Sequence, residues 1–251
     1  MQGLVIAYIL VVGLAVGSFL NVLIYRIPLG LSPAKGFSFC PRCSHRLYPV
    51  DLVPVVSHLL LGGRCRYCKE PIGWRYSAVE LLNALCWLGA YLVHGPTLTG
   101  LCYGLACSCL LAAAGIDLDH GIIPDRFNLC IGGLGLLLAF FAPHPTWQQR
   151  AIGLVAVSLP LLVIAMLTGG MGEGDIKLFA ACGLLAGWQL TLLSLLLASV
   201  LAAAIGGLLL AGGKADRKTP IPFGPFIAAG VILALLAGDA LIGWYLSLLG
   251  V

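Results

Sequence analysis

The chain has 251 residues, of which 60% are hydrophobic and only 10% are charged, and its mean hydropathy is +1.03. Soluble domains carry about 25% charged residues, so this composition excludes an ordinary soluble protein and predicts an integral membrane protein. The apolar residues form blocks of about 20 residues rather than period-2 segments, which favours membrane-spanning helices over a β-barrel. The isoelectric point near 8.5 indicates basic residues that anchor the cytoplasmic face, and no nucleic-acid binding is expected.

The first apolar block begins almost at the N-terminus. Met1-Gln2-Gly3 is not the basic region of a signal peptide, and the run from Leu4 to Tyr25 is long enough to span a bilayer. The sequence predicts an all-α polytopic membrane protein of about eight transmembrane helices with a small zinc-stapled cytoplasmic insert. The predicted spans are residues 4–25, 77–94, 98–116, 127–142, 151–168, 176–188, 190–211 and 226–249.

The distribution of Lys and Arg tests this number of spans, because cytoplasmic loops collect positive charge. Eight crossings place both termini on one side of the membrane. Of the 14 basic residues, only Arg150 then falls on the same side as the termini, which are therefore predicted to be periplasmic. The other basic residues face the cytoplasm: Arg26, Lys35, Arg42, Arg46, Arg64, Arg66, Lys69, Arg75, Arg126, Lys177, Lys214, Arg217 and Lys218.

The segment between Asp175 and Gly212 is too long for one crossing and barely long enough for two. We place the break at residues 187–189, where Gly-Trp-Gln interrupts the apolar run. A short sixth span fits there if it lines a thinned or water-filled part of the bundle.

Residues 26–76 form the one sizeable polar segment, and they separate a first helix (residues 1–25) from a seven-helix membrane core (residues 77–251). The segment carries two Cys-x-x-Cys pairs, formed by Cys40, Cys43, Cys65 and Cys68. Four thiolates at this spacing are typical of a structural zinc site, and a metal would stabilise an insert too short to build much core. A redox dithiol is the alternative interpretation. The remaining six cysteines lie in or beside apolar spans and are expected to be buried small hydrophobes.

Two clusters of acidic residues carry the chemistry. Asp117, Asp119 and Asp125 lie at the cytoplasmic end of the third predicted span, and Glu173 and Asp175 lie at the cytoplasmic end of the fifth. The predicted topology therefore brings both clusters to one membrane face without reference to any motif. Ionisable groups near membrane depth are costly and are usually functional or paired.

Two nearby carboxyl groups can share one proton, because both cannot ionise cheaply side by side. The ionised group then takes a proton from an attacking water while the protonated group donates to the carbonyl oxygen of an amide. Asp117 and Asp175 are the predicted catalytic pair. No Gly-x-Ser-x-Gly motif supports a serine nucleophile, and no His-Glu-x-x-His helix supports a catalytic metal.

The remaining acids have simpler interpretations. Asp119, Asp125 and Glu173 are expected to cap helix ends, to lie in solvated loops or to contact substrate. Glu80, in the second span, is expected to pair with Arg75 or with another polar neighbour. A single role is not assigned to Lys177, which either tunes the acid pair or anchors the interface.

The chain resembles the bacterial type IV prepilin peptidases, nearly end to end. Asp117 with Pro124-Asp125 matches the motif of the first catalytic aspartate, and Gly172-Glu-Gly-Asp175 matches the Gly-x-Gly-Asp motif that holds the second. Three further segments carry the resemblance: Gly17-Ser-Phe-Leu-Asn-Val-Leu-Ile-Tyr-Arg-Ile-Pro28, the doubled Cys-x-x-Cys insert with Gly73-Trp-Arg-Tyr-Ser-Ala-Val-Glu80, and Pro222-Phe-Gly-Pro-Phe226.

The resemblance implies an aspartic endopeptidase of the bacterial inner membrane. Such enzymes remove a basic leader from type IV prepilins or type II secretion pseudopilins at the cytoplasmic face. Many members also methylate the new N-terminus with S-adenosylmethionine, a step linked to the large first loop, and the full-length loop here implies both activities. The expected partners are these substrates and membrane lipid; the sequence predicts no oligomeric state and no binding residues for the methyl donor.

Three rival interpretations differ in class or in substrate. A transporter with a proton relay would distribute its acids through the bilayer and build them into repeats, whereas here they cluster on one face. A zinc-stapled scaffold of a secretion machine would explain the insert but leave both acid clusters unused. A Gly-x-Gly-Asp protease that cuts within the spans of other proteins shares the chemistry, but the cysteine-bearing loop argues against it.

Overall fold

A computed structural model describes residues 2–213 and 221–250, which fold into helices joined by loops, with two isolated β-bridges. This confirms the predicted all-helical class. The basic residues Lys214, Arg217 and Lys218 lie outside the described residues. The helices are α1 (Gln2–Arg26), α2 (Val56–Leu60), α3 (Arg75–His94), α4 (Leu98–His120), α5 (Asp125–Phe141), α6 (Trp147–Ala156), α7 (Ser158–Thr168), α8 (Glu173–Ala211) and α9 (Gly224–Leu248).

Among the described residues, 6 helical stretches are long and apolar enough to cross a membrane. They are α1, α3, α4, α8, α9 and the combined stretch Trp147–Thr168. Helix α5 has 17 residues and spans roughly 26 Å. The chain is therefore a multi-pass membrane protein. The interruption between α6 and α7 follows from Pro160, which cannot donate a backbone hydrogen bond to the carbonyl four residues earlier.

Helix α8 consists of two segments that meet at Gly187. As one straight helix its 39 residues would extend roughly 58 Å, about twice the hydrocarbon thickness of a bilayer. Gly187 has φ 78° and ψ 169°, which is not helical. We call residues 173–186 α8a and residues 188–211 α8b. The predicted break at residues 187–189 is confirmed.

The neighbours of the two segments show that the chain reverses at this break. Helix α8a runs parallel to α5, because Lys177 pairs with Asp125 near one end while Gly135 packs against Leu184 near the other. Helix α8b runs antiparallel to α9. A Cβ added at Gly238 would meet Leu190, whereas one added at Gly230 would meet Ser194 and Ala198. Divided in this way, the described helices provide the eight apolar segments that the sequence predicted.

A buried arginine satisfies the backbone at the reversal. The break leaves the last carbonyl groups of α8a without partners in their own helix. Arg150 of α6 is fully buried, and its guanidinium donates to the carbonyls of Leu184 at 3.2 Å, Leu185 at 2.5 Å and Pro145 at 3.0 Å. The positive charge also lies at the negative end of the α8a dipole, which stabilises it there.

Glycines bring α6 and α8a into backbone contact. A Cβ added at Gly153 would overlap the carbonyl oxygen of Gly183, and one added at Gly183 would overlap the carbonyl oxygen of Gly153. Small residues at helix crossings are common in membrane proteins, where close van der Waals contact replaces the hydrophobic effect.

Helices α1 and α3 are held together by a buried polar contact. The side-chain amide of Asn83 in α3 donates to the Gly13 carbonyl of α1 at 2.7 Å.

We expect Gly153→Ala to lower the free energy of unfolding by about 1–3 kcal/mol, because its methyl group must push α6 away from α8a. Gly133→Ala is the matched control, since a Cβ at Gly133 meets nothing within 4 Å. Thermal unfolding of both variants in detergent micelles measures the difference. Equal stability of the two variants would contradict the close packing of α6 on α8a.

Candidate active site and metal centre

Asp117 lies in the last turn of α4 and is only 7% exposed. The backbone N–H of Gly224, the first residue of α9, donates to its Oδ2 at 2.9 Å. A Cβ at Gly224 would lie 2.6 Å from the same oxygen, so only glycine permits this approach. The positive end of the α9 dipole therefore faces the carboxyl group of Asp117.

Asp175 is half-buried in the first turn of α8a, three residues after the Gly172 N-cap. An acid in a first turn is stabilised by the N-terminal end of the helix dipole. The neighbouring Gly174 packs against the loop that follows α4, where an added Cβ would lie 2.9 Å from the Cβ of Ile123. This contact brings the start of α8a against the end of α4.

The structure places the two predicted aspartates on one face of the bundle. Helix α4 ends there, and α5, α8a and α9 begin there. The carboxyl groups of Asp117 and Asp175 lie close enough to interact electrostatically. A shared proton and a water held between two such groups would be sufficient for hydrolysis of an amide bond.

The acids around this pair form ion pairs. Lys177 lies 3.3 Å from Asp125 and 3.7 Å from Glu173, and the side chains of those two acids are 63% and 89% exposed. They form a solvated acidic rim beside the half-buried Asp175. Both are the first residues of their helices, where an acid is favoured by the helix dipole, but the N-caps are Pro124 and Gly172, so the expected capping role is not observed.

The predicted pairing of Glu80 with Arg75 is wrong, although the more general expectation of a polar neighbour is confirmed. Glu80 Oε2 accepts a hydrogen bond from the backbone N–H of Val55 at 2.8 Å. Arg75 instead forms an ion pair with Asp119 at 2.5 Å and donates to the Gly115 carbonyl at 3.0 Å. Residue spacing alone could not distinguish these partners, because Val55 reaches Glu80 through the tertiary fold of the insert.

Sequence reasoning missed two polar features near the aspartates. It recognised Gly224 only as part of a motif, and no local signal indicated that its amide binds Asp117. Asn128, one turn into α5, is buried, and both polar atoms of its side chain lack a hydrogen-bond partner among the described residues. A single Asn in an apolar helix is only a weak indication of a buried polar site.

The four predicted metal ligands come together in the insert. The Sγ atoms of Cys40, Cys43, Cys65 and Cys68 all lie within 4.8 Å of one another. Each Cys-x-x-Cys pair forms a tight turn, in which the amide of the residue after the second cysteine donates to the carbonyl of the first. Those following residues, Ser44 and Lys69, have positive φ angles of 57° and 60°. This cluster could hold a metal ion.

The electrostatics of the cluster favour a thiolate at Cys40. Burial raises the pKa of this thiol, but hydrogen bonds from the backbone amides of Cys43 and Arg42 outweigh that effect and bring the pKa to about 7. Metals bind thiolates rather than thiols, so the turn prepares a ligand.

Together these features define a multi-pass membrane protein that carries a facing aspartate pair and a four-cysteine insert. A model of the bacterial peptidase A24 N-terminal domain matches residues 11–94, and a model of the type IV leader peptidase family matches residues 104–207. The chain belongs to the type IV leader peptidase family.

Relatives from distant bacteria support this assignment along almost the whole chain. The prepilin leader peptidase/N-methyltransferase of Pseudomonas aeruginosa is 36% identical over 275 residues, covering 96% of this chain and 93% of the relative. The protein of the same name from Bacillus subtilis is 33% identical over 244 residues, covering 97% and 98%. A relative from Aeromonas hydrophila is 37% identical, covering 93% and 91%. No solved structure matches the chain.

We expect the purified protein to contain about one metal ion per chain. Cys43→Ser and Cys68→Ser should each lower the metal content several-fold, because the cluster then has three thiolates. Elemental analysis by mass spectrometry after dialysis measures the content. Cys130→Ser is the control, since this exposed cysteine lies on α5, outside the cluster. Equal loss of metal from the control would exclude the cluster as the binding site.

Proposed function

We propose that this chain is a leader peptidase of the bacterial inner membrane that cleaves type IV prepilins or type II secretion pseudopilins. The observation that carries the proposal is the meeting of Asp117 and Asp175 at the helix ends of a chain from this family. Asp117 is buried and Asp175 is half-buried. A membrane protein has little reason to bring two such carboxyl groups together unless they act as a pair.

The proposed mechanism uses both carboxyl groups and no covalent intermediate. One carboxylate takes a proton from a water molecule as the water oxygen attacks the scissile carbonyl carbon. The other carboxyl group donates its proton to the carbonyl oxygen. Collapse of the resulting diol breaks the carbon–nitrogen bond. The leaving amine takes the proton that the first carboxyl group removed from water, and one diol hydroxyl returns its proton to the second carboxylate. The Gly224 amide keeps the Asp117 carboxyl group in position through this cycle.

The proposed orientation places this site at the cytoplasmic face and both termini in the periplasm. Arg126, Lys177 and the basic residues of the insert lie on the side of the aspartates, as the positive-inside tendency requires. A basic leader would remain on that side while the hydrophobic helix of the substrate enters the bilayer. The exposed Asp125 and Glu173 would then attract the leader.

We propose that the three segments of the chain have different roles. The first helix (1–25) and the core (77–251) build the protease, and the insert (26–76) is stabilised by a structural Zn²⁺ on Cys40, Cys43, Cys65 and Cys68. Four thiolates fill a tetrahedral zinc site and leave no open position for chemistry.

We also propose that the chain methylates the new N-terminus, because its relatives carry the name N-methyltransferase beside that of leader peptidase. S-adenosylmethionine supplies a methyl group that forms a bond to the amine nitrogen while the electrons of the S–C bond return to sulfur. The ammonium group of the substrate first releases a proton to water, which costs little because its pKa is about 8.

Asp117→Asn and Asp175→Asn should each lower the rate of leader cleavage by about 100-fold or more, because each removes one partner of the proton exchange. Cleavage of a purified prepilin in detergent is followed by gel shift. Asp239→Asn, a change of the same kind in α9, should cleave normally. A variant at 117 or 175 that keeps near wild-type cleavage would exclude that aspartate from catalysis.

Gly224→Ala should lower cleavage by about tenfold or more while the protein stays folded, because the added methyl group displaces the Asp117 carboxyl group. Gly243→Ala in the same helix is the matched control, since a Cβ there meets nothing within 4 Å. Rates are compared at saturating substrate, so that a loss reports on the chemical step. Normal cleavage by Gly224→Ala would show that the Gly224 contact does not position Asp117.

A further inference from the structure

A cavity separate from the aspartate pair lies between α1, the insert and α3. Its volume is about 320 Å³, within the range of about 300–1,000 Å³ that is typical of small-molecule sites. Cys40 and Cys65 of the metal cluster also border it. Its lining includes Tyr25, Phe39, His58, Arg64, Tyr76 and Glu80.

Two buried polar side chains of the lining have unused hydrogen-bonding capacity. His58 and Glu80 are each 8% exposed. The Nε2 atom of His58 has no hydrogen-bond partner among the described residues. Glu80 accepts a hydrogen bond from the Val55 amide at Oε2 and interacts with the Ser18 side chain, and its two carboxyl oxygens can accept further hydrogen bonds. Buried polar atoms are nearly always satisfied, so an unpartnered one beside a cavity can bind a polar group or a water molecule held in that cavity.

The backbone around Glu80 is strained. Val55 has φ 61°, a conformation that is unfavourable for a β-branched residue. The hydrogen bond from its amide to Glu80 helps to hold this conformation. Strain of this kind is concentrated at functional sites, where the surrounding structure maintains it.

The free charges of the cavity suit a zwitterion. Arg26 is occupied, because its guanidinium donates to three backbone carbonyls. Asp51 is occupied by Arg66 at 2.6 Å, and Arg42 pairs with Glu70 at 3.7 Å. Arg64 forms no ion pair among the described residues, and Glu80 is the buried acid. One cation and one anion match the carboxylate and ammonium groups of an amino acid, whereas a phosphorylated ligand would face an uncompensated acid.

Aromatic rings complete the lining. Tyr25 and Phe39 contact each other edge to face, with centroids 6.2 Å apart, and both border the cavity together with Tyr76. Such rings bind a planar heterocycle by stacking and attract a sulfonium cation through their π faces.

We propose that this cavity binds S-adenosylmethionine, with Glu80 facing its cationic groups, Arg64 its carboxylate and the aromatic rings its adenine. The inference rests on the proposed methyl-transfer function and gives it a location. A smaller space of about 80 Å³ shares Asn21, Tyr25 and Tyr76 with the cavity and extends to Asp119. Asp119 belongs to the last turn of α4, as Asp117 does, so the smaller space lies at the end of the bundle that carries the aspartates.

Equilibrium dialysis of the full-length, metal-loaded protein in detergent against tritium-labelled S-adenosylmethionine tests the proposal. Glu80→Gln keeps an acceptor for Val55 but loses the charge, and Arg64→Gln changes an exposed side chain that the fold does not need. Each should raise the Kd about tenfold or more. Asp239→Asn and Arg126→Gln remove the same charges elsewhere and should bind as the wild type does. Metal content and thermal unfolding verify that each variant is folded.

The outcomes separate this inference from the function on which it rests. Wild-type Kd values for both folded cavity variants would overturn the cavity as the site, and methylation of a pre-cleaved substrate by the wild type would show that the function itself stands. A wild-type protein that cleaves the leader but neither binds the donor nor methylates would overturn both the methyl-transfer function and the cavity proposal. If Glu80→Gln does not fold, Arg64→Gln alone decides between these outcomes.

Discussion

The fold depends on how the chain satisfies its backbone where α8 reverses inside the bundle. A bilayer offers no water to free carbonyl groups, so a broken helix is stable only if protein groups replace the lost partners. Arg150 does this, because its buried guanidinium donates to carbonyls on both sides of the gap between α8a and the loop before α6. Its charge needs no carboxylate partner, since the carbonyl dipoles and the C-terminal end of α8a supply the compensating negative potential.

The reversal at the end of α8a also determines the position of Asp175 at its start. Helix α8a is roughly 21 Å long, so anchoring its last carbonyls at Arg150 sets the depth of Asp175 in its first turn. Gly153 and Gly183 fix the lateral position by backbone contact, and Gly174 brings the first turn against the loop after α4. Asp117 approaches from α4 and is held by the first amide of α9. The meeting of the two aspartates is therefore a result of packing at both faces of the bundle.

The sequence predicted the features that arise from local composition. Hydropathy indicated the helices, Gly187 the break, and the Cys-x-x-Cys spacing the thiol cluster, because each depends on a few neighbouring residues. Charge distribution was sufficient to predict that Asp117 and Asp175 share a face. Partners that meet only after folding were not predictable in this way. The rule that counts basic residues treats every Arg as an interfacial anchor, so it could not show that Arg150 is buried, and it could not show that Glu80 binds Val55 rather than Arg75.

Arg75 joins the two parts of the molecule for which different activities are proposed. It is the first residue of α3, directly after the insert, and it binds both the Asp119 side chain and the Gly115 carbonyl on the helix that carries Asp117. The same residue borders the small space that shares Asn21, Tyr25 and Tyr76 with the cavity. Arg75 therefore links the helix that carries Asp117 to the edge of the cavity. The order of the two proposed reactions has a chemical reason, because the amine that accepts the methyl group exists only after the leader has been removed.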